Sequence, residues 1–142
     1  MEHRILTSAG EMKVHCLRLR RGDDLLLSIK ALAQARNIRA GVVLSAVGCV
    51  SRARLRDASG VNIREINRHM EIVSLNGTVS AARCHLHIAL SSEDLSTIGG
   101  HLTEGCIINT TCELVIGILE GIEYCVEQDD ETGYDEIVFN EI

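Results

Sequence analysis

The pattern of apolar and polar positions divides the chain into short extended segments around one helical segment. Met12 to Leu19 reads as a first strand. Leu25, Ile29 and Leu32 then recur at i, i+4 and i+7 with Ala33 beside them, which predicts an amphipathic helix ending near Arg36. Gly22-Asp23-Asp24 supplies a turn and an aspartate to cap that helix, and Asn37 supplies a stop. Ala40 to Val47 is almost continuously apolar and predicts a strand buried on both faces. Gly48 punctuates it, and Val50 to Arg56 reads as a separate strand.

Further on, Asp57-Ala58-Ser59-Gly60 is a turn signal and Ile63 to Asn67 a short edge strand. His69 to Leu75 and Thr78 to Ala82 flank Asn76-Gly77, the strongest hairpin signal in the chain. Cys84 to Leu90 alternates strictly. Cys84, Leu86, Ile88 and Leu90 form an apolar face, and His85 and His87 project from the other. Ser91 to Gly105 reads as a polar, glycine-bearing loop, and Ile107 to Leu119 as an apolar, β-branched strand interrupted by Thr110-Thr111. A short strand ends at Val126, Gln128 to Gly133 is an acidic loop, and Glu136 to Phe139 is expected to close the sheet. Strands dominate, there is no internal repeat, and one helix stands out. The expected class is α+β: a single domain over residues 1–142, with a mostly antiparallel sheet and one main helix.

Composition narrows this picture. At 142 residues and 46% apolar content the chain can bury a real core, roughly 70% of its unfolded surface. That core must be aliphatic, since Tyr124, Tyr134 and Phe139 are the only aromatic residues. A net charge of −6 weighs against a broad nucleic-acid surface. Basic residues nevertheless concentrate between Arg18 and Arg56 and acidic ones after Glu120, which leaves a local basic face open. The six cysteines form no CxxC pair, and neither an apolar leader nor a run of membrane-spanning length is present. Reduced thiols, a cytoplasmic location and no membrane partner are therefore expected. Neither a P-loop nor a GxGxxG sequence occurs, so no nucleotide-binding signature is present.

The candidate chemistry lies in His85-Leu86-His87 and Gly99-Gly100-His101. Two imidazoles on one strand face, joined by a third from a glycine loop, would hold a divalent metal with one position open. Zinc is the first choice, and nickel, iron or manganese also suit such ligands. Glu71 is the candidate carboxylate, as fourth ligand or general base, with Glu113 a weaker alternative. Gly99 and Gly100 give the loop backbone freedom and would let a ligand or a neighbouring subunit approach. Cys106 follows His101 by five residues and reads first as a buried structural thiol. His3, His15 and His69 have no partner pattern.

Taken in order, several motifs resemble the plant-and-prokaryote-conserved (PPC) domain family over residues 12 to 140. They are Leu17-Arg18-Leu19 with Gly22-Asp23-Asp24-Leu25, Val43-Leu44-Ser45-Ala46-Val47-Gly48, and Glu71-Ile72-Val73-Ser74-Leu75-Asn76-Gly77. The most distinctive is His85-Leu86-His87 with Gly99-Gly100-His101-Leu102 and Gly105-Cys106. Thr110-Thr111-Cys112-Glu113 and Thr132-Gly133-Tyr134-Asp135-Glu136 complete the set. The resemblance implies a single α+β domain, a homotrimer, and a DNA-binding or regulatory role. In some prokaryotic members it also implies a metal on the HxH and GGH histidines. It makes Arg18 a candidate anion-binding residue, and the fold is similar to that of acetolactate decarboxylase, whose zinc sits on an HxH-plus-His set. Two departures stand out. The chain has no AT-hook of the kind plant relatives carry, and Glu93-Asp94-Leu95-Ser96 replaces the Asp-Gly turn common before Gly99. Three readings follow: a metal-binding trimer associated with DNA or regulation, a metal-dependent hydrolase or lyase, and a small-molecule-binding module.

Overall fold

The structure, a computed structural model, describes residues 10–142; His3 lies outside them. Nine strands and one helix follow in the order β1 Met12–Arg20, α1 Leu25–Ala35, β2 Gly41–Arg56, β3 Ile63–Ile66, β4 Met70–Val79, β5 Cys84–Ser91, β6 Thr97–Leu102, β7 Ile107–Leu119, β8 Ile122–Gln128 and β9 Asp135–Glu141. The mostly antiparallel sheet and single helix match the expected α+β class.

The helix forms where its apolar spacing predicts. One Asp24 carboxylate oxygen accepts from Leu27 N–H at 3.0 Å and the other accepts from Gly105 N–H at 2.8 Å. The cap therefore also ties the helix start to the β6–β7 turn. Leu25, Leu26, Ile29 and Ala33 enter the core, and Asn37 ends the helix in the left-handed region at φ 47°.

The main sheet runs β1-β7-β2-β4-β5-β6, with β3 paired to β2. The last strand also returns to the middle: β6 pairs with β2 through Leu55↔Leu102 and Arg56↔His101. Strands β2, β4, β5 and β6 thereby close into a small barrel-like loop. Its inner face carries Val50, Ala53, Leu55, Met70, Leu86, Ile88, Leu90 and Leu102, all buried. Burying one such aliphatic side chain is worth about 1.5–3 kcal/mol. Leu86, Ile88 and Leu90 thus hold β5 down on the core and fix the direction in which its alternate side chains point.

Several local expectations are corrected. Gly41–Arg56 is one 16-residue strand, not two separated by Gly48. It bends through register shifts between Val43/Ser45, Gly48/Cys49 and Val50/Arg52, and so serves β4 as far as Val50 and β7 as far as Arg52, and β3 and β6 from Ala53 onward. Gly48 is needed for a close approach, since a Cβ there would lie 2.0 Å from the Thr111 carbonyl oxygen. Nor is the first half buried on both faces, because Leu44 and Val47 are 46% and 57% exposed.

Asn76-Gly77 makes no hairpin. It lies within β4, where Asn76 pairs with His87 and Gly77 with Leu86. The chain turns later, at Ser80–Arg83, where Ser80 N–H donates to the Arg83 carbonyl at 2.8 Å. The polar stretch 91–105 contains a strand, β6, so Gly99, Gly100 and His101 are strand residues and not loop residues. Finally, β8 and β9 pair only with each other, as a separate ribbon, and do not close the main sheet. Tyr124 anchors the ribbon through its hydroxyl, which donates to the Gly41 carbonyl at 2.9 Å. Among the described residues no helix is long and apolar enough to cross a membrane.

Candidate metal centre

The barrel closure assembles the site. His85 and His87 point outward from β5 because Leu86 and Ile88 point inward. His101 on β6 is the direct cross-strand partner of His87. The three ring centroids form a nearly equilateral triangle, with separations of 5.2, 5.2 and 5.5 Å. Each ring offers one nitrogen, and these three atoms lie within 4.8 Å of one another. Tetrahedral zinc spaces its nitrogens about 3.4 Å apart, so small side-chain rotations suffice. A set of three imidazoles, with no fourth member of the cluster among the described residues, suits a divalent ion with an open position.

Two of the three imidazoles, His101 and His85, are held toward the neutral form. Partial burial, then the Arg56 guanidinium, then the neighbouring His85 and His87 hold His101 down to about 4. His85 is lowered as well, first by partial burial and then by His87, Arg83 and Arg56, while Glu136 opposes the shift. Neutral histidine is the form that ligates a metal.

Gly99 and Gly100 line the depression beside the histidines. Their lack of a side chain has a packing cause: a Cβ would fall 2.7 Å from the Ile88 carbonyl oxygen or 2.8 Å from that of Arg56. Other expected residues lie elsewhere. Glu71 is exposed and pairs with Ser91 and Cys49, five residues along β4 from Asn76 and so roughly 16 Å from His87. Glu113 and Arg18 are cross-strand partners on β7 and β1, and β7, β2 and β4 lie between β1 and β5 in the sheet. Arg18 donates from Nε to Thr111 Oγ1 at 2.9 Å. Cys106 is fully buried and donates to the Arg54 carbonyl at 3.6 Å, a core thiol. Cys84 faces the core side of β5 and contacts the Ser80 carbonyl. All six cysteines are unpaired.

Sequence reasoning missed the second wall. Arg56 at the end of β2, Arg83 in the β4–β5 turn, and Tyr134 and Glu136 of the ribbon line a cavity of about 600 Å³ with His85 and His101. Arg56 Nη2 donates to His101 Nδ1 at 3.2 Å. The tail motif around Glu136 was visible in the sequence, but Arg56 and Arg83 carried no signal, since only strand pairing brings them to the histidines. The arginines of β2 and β3 are partly neutralised, with Arg52 paired to Glu65 at 3.7 Å and Arg64 to Asp57 at 3.2 Å.

The fold is similar to that of a hypothetical protein from Salmonella cholerae-suis, with a TM-score of 0.91, 30% identity, and coverage of 94% of this chain and 97% of that one. It is also similar to the metal-containing protein AF0104 from Archaeoglobus fulgidus, with a TM-score of 0.78, 27% identity, and coverage of 96% and 99%. Fold neighbours at 19–20% identity include proteins provisionally assigned to DNA binding, a likeness that shows the fold alone. The sequence is 37% identical over 128 residues to bifunctional protein GlmU of a Synechococcus strain. That match covers 90% of this chain and 20% of GlmU, so the chain spans about a fifth of the length of such relatives. The model of the Plants and Prokaryotes Conserved domain matches residues 6–120, and the chain belongs to that family.

Proposed function

We propose that this chain is a divalent-metal protein that binds a small polar molecule at the metal, with His85, His87 and His101 as ligands and zinc as the first-choice ion. The observation that carries this reading is the near-equilateral triangle of imidazoles beside a cavity. The metal-containing description of the Archaeoglobus protein supports it. Bound there, such an ion would polarise a ligand's oxygen or acidify a bound water. The chain's own residues supply the rest. Leu86 and Ile88 hold the histidine strand, Gly99 and Gly100 let β6 close against its neighbours, and Glu136 is the carboxylate that acts on His85. Glu136, which lines the cavity with His85 and His101, replaces Glu71 as the proposed acid–base carboxylate. A hydrolase or lyase and a binding module use the same site and differ only in whether product forms.

The same reading includes a homotrimer in a single-domain chain. Met12, Val14, Leu44, Val47 and Val73 leave an exposed apolar face on the main sheet, and a second copy of this chain is its occupant. Six unpaired cysteines fit a reducing compartment, the cytoplasm. A DNA-associated role is the second reading, favoured by the description of the fold neighbours. The acidic balance and the paired arginines of β2 and β3 place it second.

Elemental analysis of the purified protein decides the main reading. One zinc or other divalent ion per chain is expected, with none in a His85→Ala/His87→Ala variant of unchanged fold. A metal-free wild-type protein that takes up no ion on addition would overturn it.

A further inference from the structure

The contact between Arg56 and His101 restricts what His101 can do. A guanidinium has donors and no acceptor. The His101 Nδ1 atom, 3.2 Å from Arg56 Nη2, must therefore offer its lone pair, and Nε2 must carry the ring proton. A neutral imidazole has only one lone pair. A metal at Nδ1 takes it directly. A metal at Nε2 forces the proton onto Nδ1, which then has nothing to give Arg56. The Arg56 hydrogen bond and coordination by His101 exclude each other whichever nitrogen binds.

The released guanidinium stays on the wall of the cavity. Arg83 lines the same cavity, and its Nη1 is buried and has no hydrogen-bond partner among the described residues. Two arginines beside a dication held by three neutral ligands outweigh the two carboxylates of the same cavity, Asp135 and Glu136, and leave the pocket positive. Arginine forks match the two oxygens of a carboxylate or phosphate. The cavity, at about 600 Å³, holds a small metabolite.

We propose that Arg56 is a switch: it occupies His101 in the metal-free protein and, on metal loading, turns with Arg83 to clamp a small oxyanion, carboxylate or phosphate, at the metal. Metal and anion then bind with positive cooperativity. The inference rests on the three-histidine reading and extends it by naming the ligand class.

The test is a zinc titration of the full-length protein against a competing chromophoric chelator, for wild type, Arg56→Leu and Arg83→Leu. Without added anion, Arg56→Leu should bind zinc about tenfold more tightly than wild type, the size expected for one lost charge-assisted hydrogen bond. Malonate or phosphate, added separately to the cobalt-loaded protein, should shift the visible cobalt absorption in wild type. Each arginine variant should need at least about tenfold more of the anion. Which probe binds tighter distinguishes a carboxylate ligand from a phosphate one. Equal zinc affinity in wild type and Arg56→Leu overturns the switch and leaves the metal site standing. No zinc uptake by either overturns both. Should Arg56→Leu fail to fold, the imidazole nitrogen NMR spectrum of metal-free wild type decides. The Nε2–H tautomer at His101 is required, and an Nδ1–H tautomer overturns the proposal.

Discussion

Gly100 and Arg56 face each other where β6 closes onto β2, and a Cβ on Gly100 would stand 2.8 Å from the Arg56 carbonyl oxygen. The clashing atom is backbone, so no side chain can swing aside to make room. The Leu55 side chain lies 3.3 Å from the same point and blocks the neighbouring direction. Because His101 follows Gly100 directly, the closure that positions this glycine also positions the third imidazole.

Gly100→Ala is therefore expected to push β6 from β2, at a cost of about 1–3 kcal/mol for overpacking. The displaced His101 should also lower metal affinity more than the stability loss alone would. Chemical denaturation together with metal stoichiometry checks both effects. Full stability, or lost stability with unchanged metal binding, would separate the closure from the site.

Much of this arrangement was legible in the sequence, and the remainder failed for identifiable reasons. Strict alternation in Cys84–Leu90 was enough to set His85 and His87 on the open face, because the opposite face is wholly apolar. Asn76-Gly77 misled because an Asn-Gly turn needs positive φ at both residues. Here only Gly77 has it, at φ 146°, and a Cβ on it would sit 1.9 Å from the His85 carbonyl oxygen. The glycine serves strand approach and not a turn. Gly99-Gly100 misled in the same way, since close packing between strands and loop flexibility leave one signature in a sequence. Arg56 and His101 are 45 residues apart, and their meeting depends on β6 pairing with both β5 and β2. No local pattern encodes such a double pairing.

The pH dependence of the metal-free protein follows from His101. Its folded value is depressed to about 4 by burial and the nearby Arg56, against an ordinary value of 6.5. Between those values the unfolded chain takes up a proton that the folded one refuses, so stability rises with pH across that window. The contribution is complete above about 6.5 and is lost as pH falls through about 4. Denaturation curves between pH 4 and 7 should show this slope, and His101→Gln should reduce it to the smaller part that His85, lowered as well, supplies. A slope unchanged in the variant would assign the effect to other groups.

Asp24 joins two elements through one side chain. One oxygen caps α1 at Leu27 N–H and the other binds Gly105 N–H. Asp24→Ala removes a cap worth about 1 kcal/mol and strips a second, part-buried N–H of its partner, at about 1–2 kcal/mol more. Asp24→Asn keeps an acceptor for one of them and should recover about half. Urea denaturation with an unchanged m-value is the measurement. A loss confined to the cap alone would show that the Gly105 contact is replaced by water.

Thiol labelling reports on the core independently. Burial pushes Cys112 up to about 11, with Cys49 and Glu113 adding to the shift, and burial raises Cys106 as well. Cys16 is exposed on β1. At pH 8 a disulfide reagent should modify Cys16 promptly in the dissociated chain, where the β1 face is uncovered, and reach Cys106 and Cys112 only after unfolding. Prompt modification of Cys112 in the native protein would mean that β7 opens locally.

The exposed apolar face makes the last prediction, which concerns assembly. Val47 is 57% exposed and Val14 49%, and a single chain gains little from either. Both side chains reach outward from the sheet, where Val14 pairs with Gly117 and Val47 with Glu113. A charge placed there costs the isolated fold almost nothing, because the position is already wet. Buried without a partner between two copies, the same charge costs several kcal/mol. Val47→Lys should therefore leave the melting of a single chain nearly unchanged and convert a homotrimer to monomer in light scattering after gel filtration. Wild-type protein that elutes as a monomer, or a variant that still elutes as a trimer, would show that another surface, or none, joins the copies.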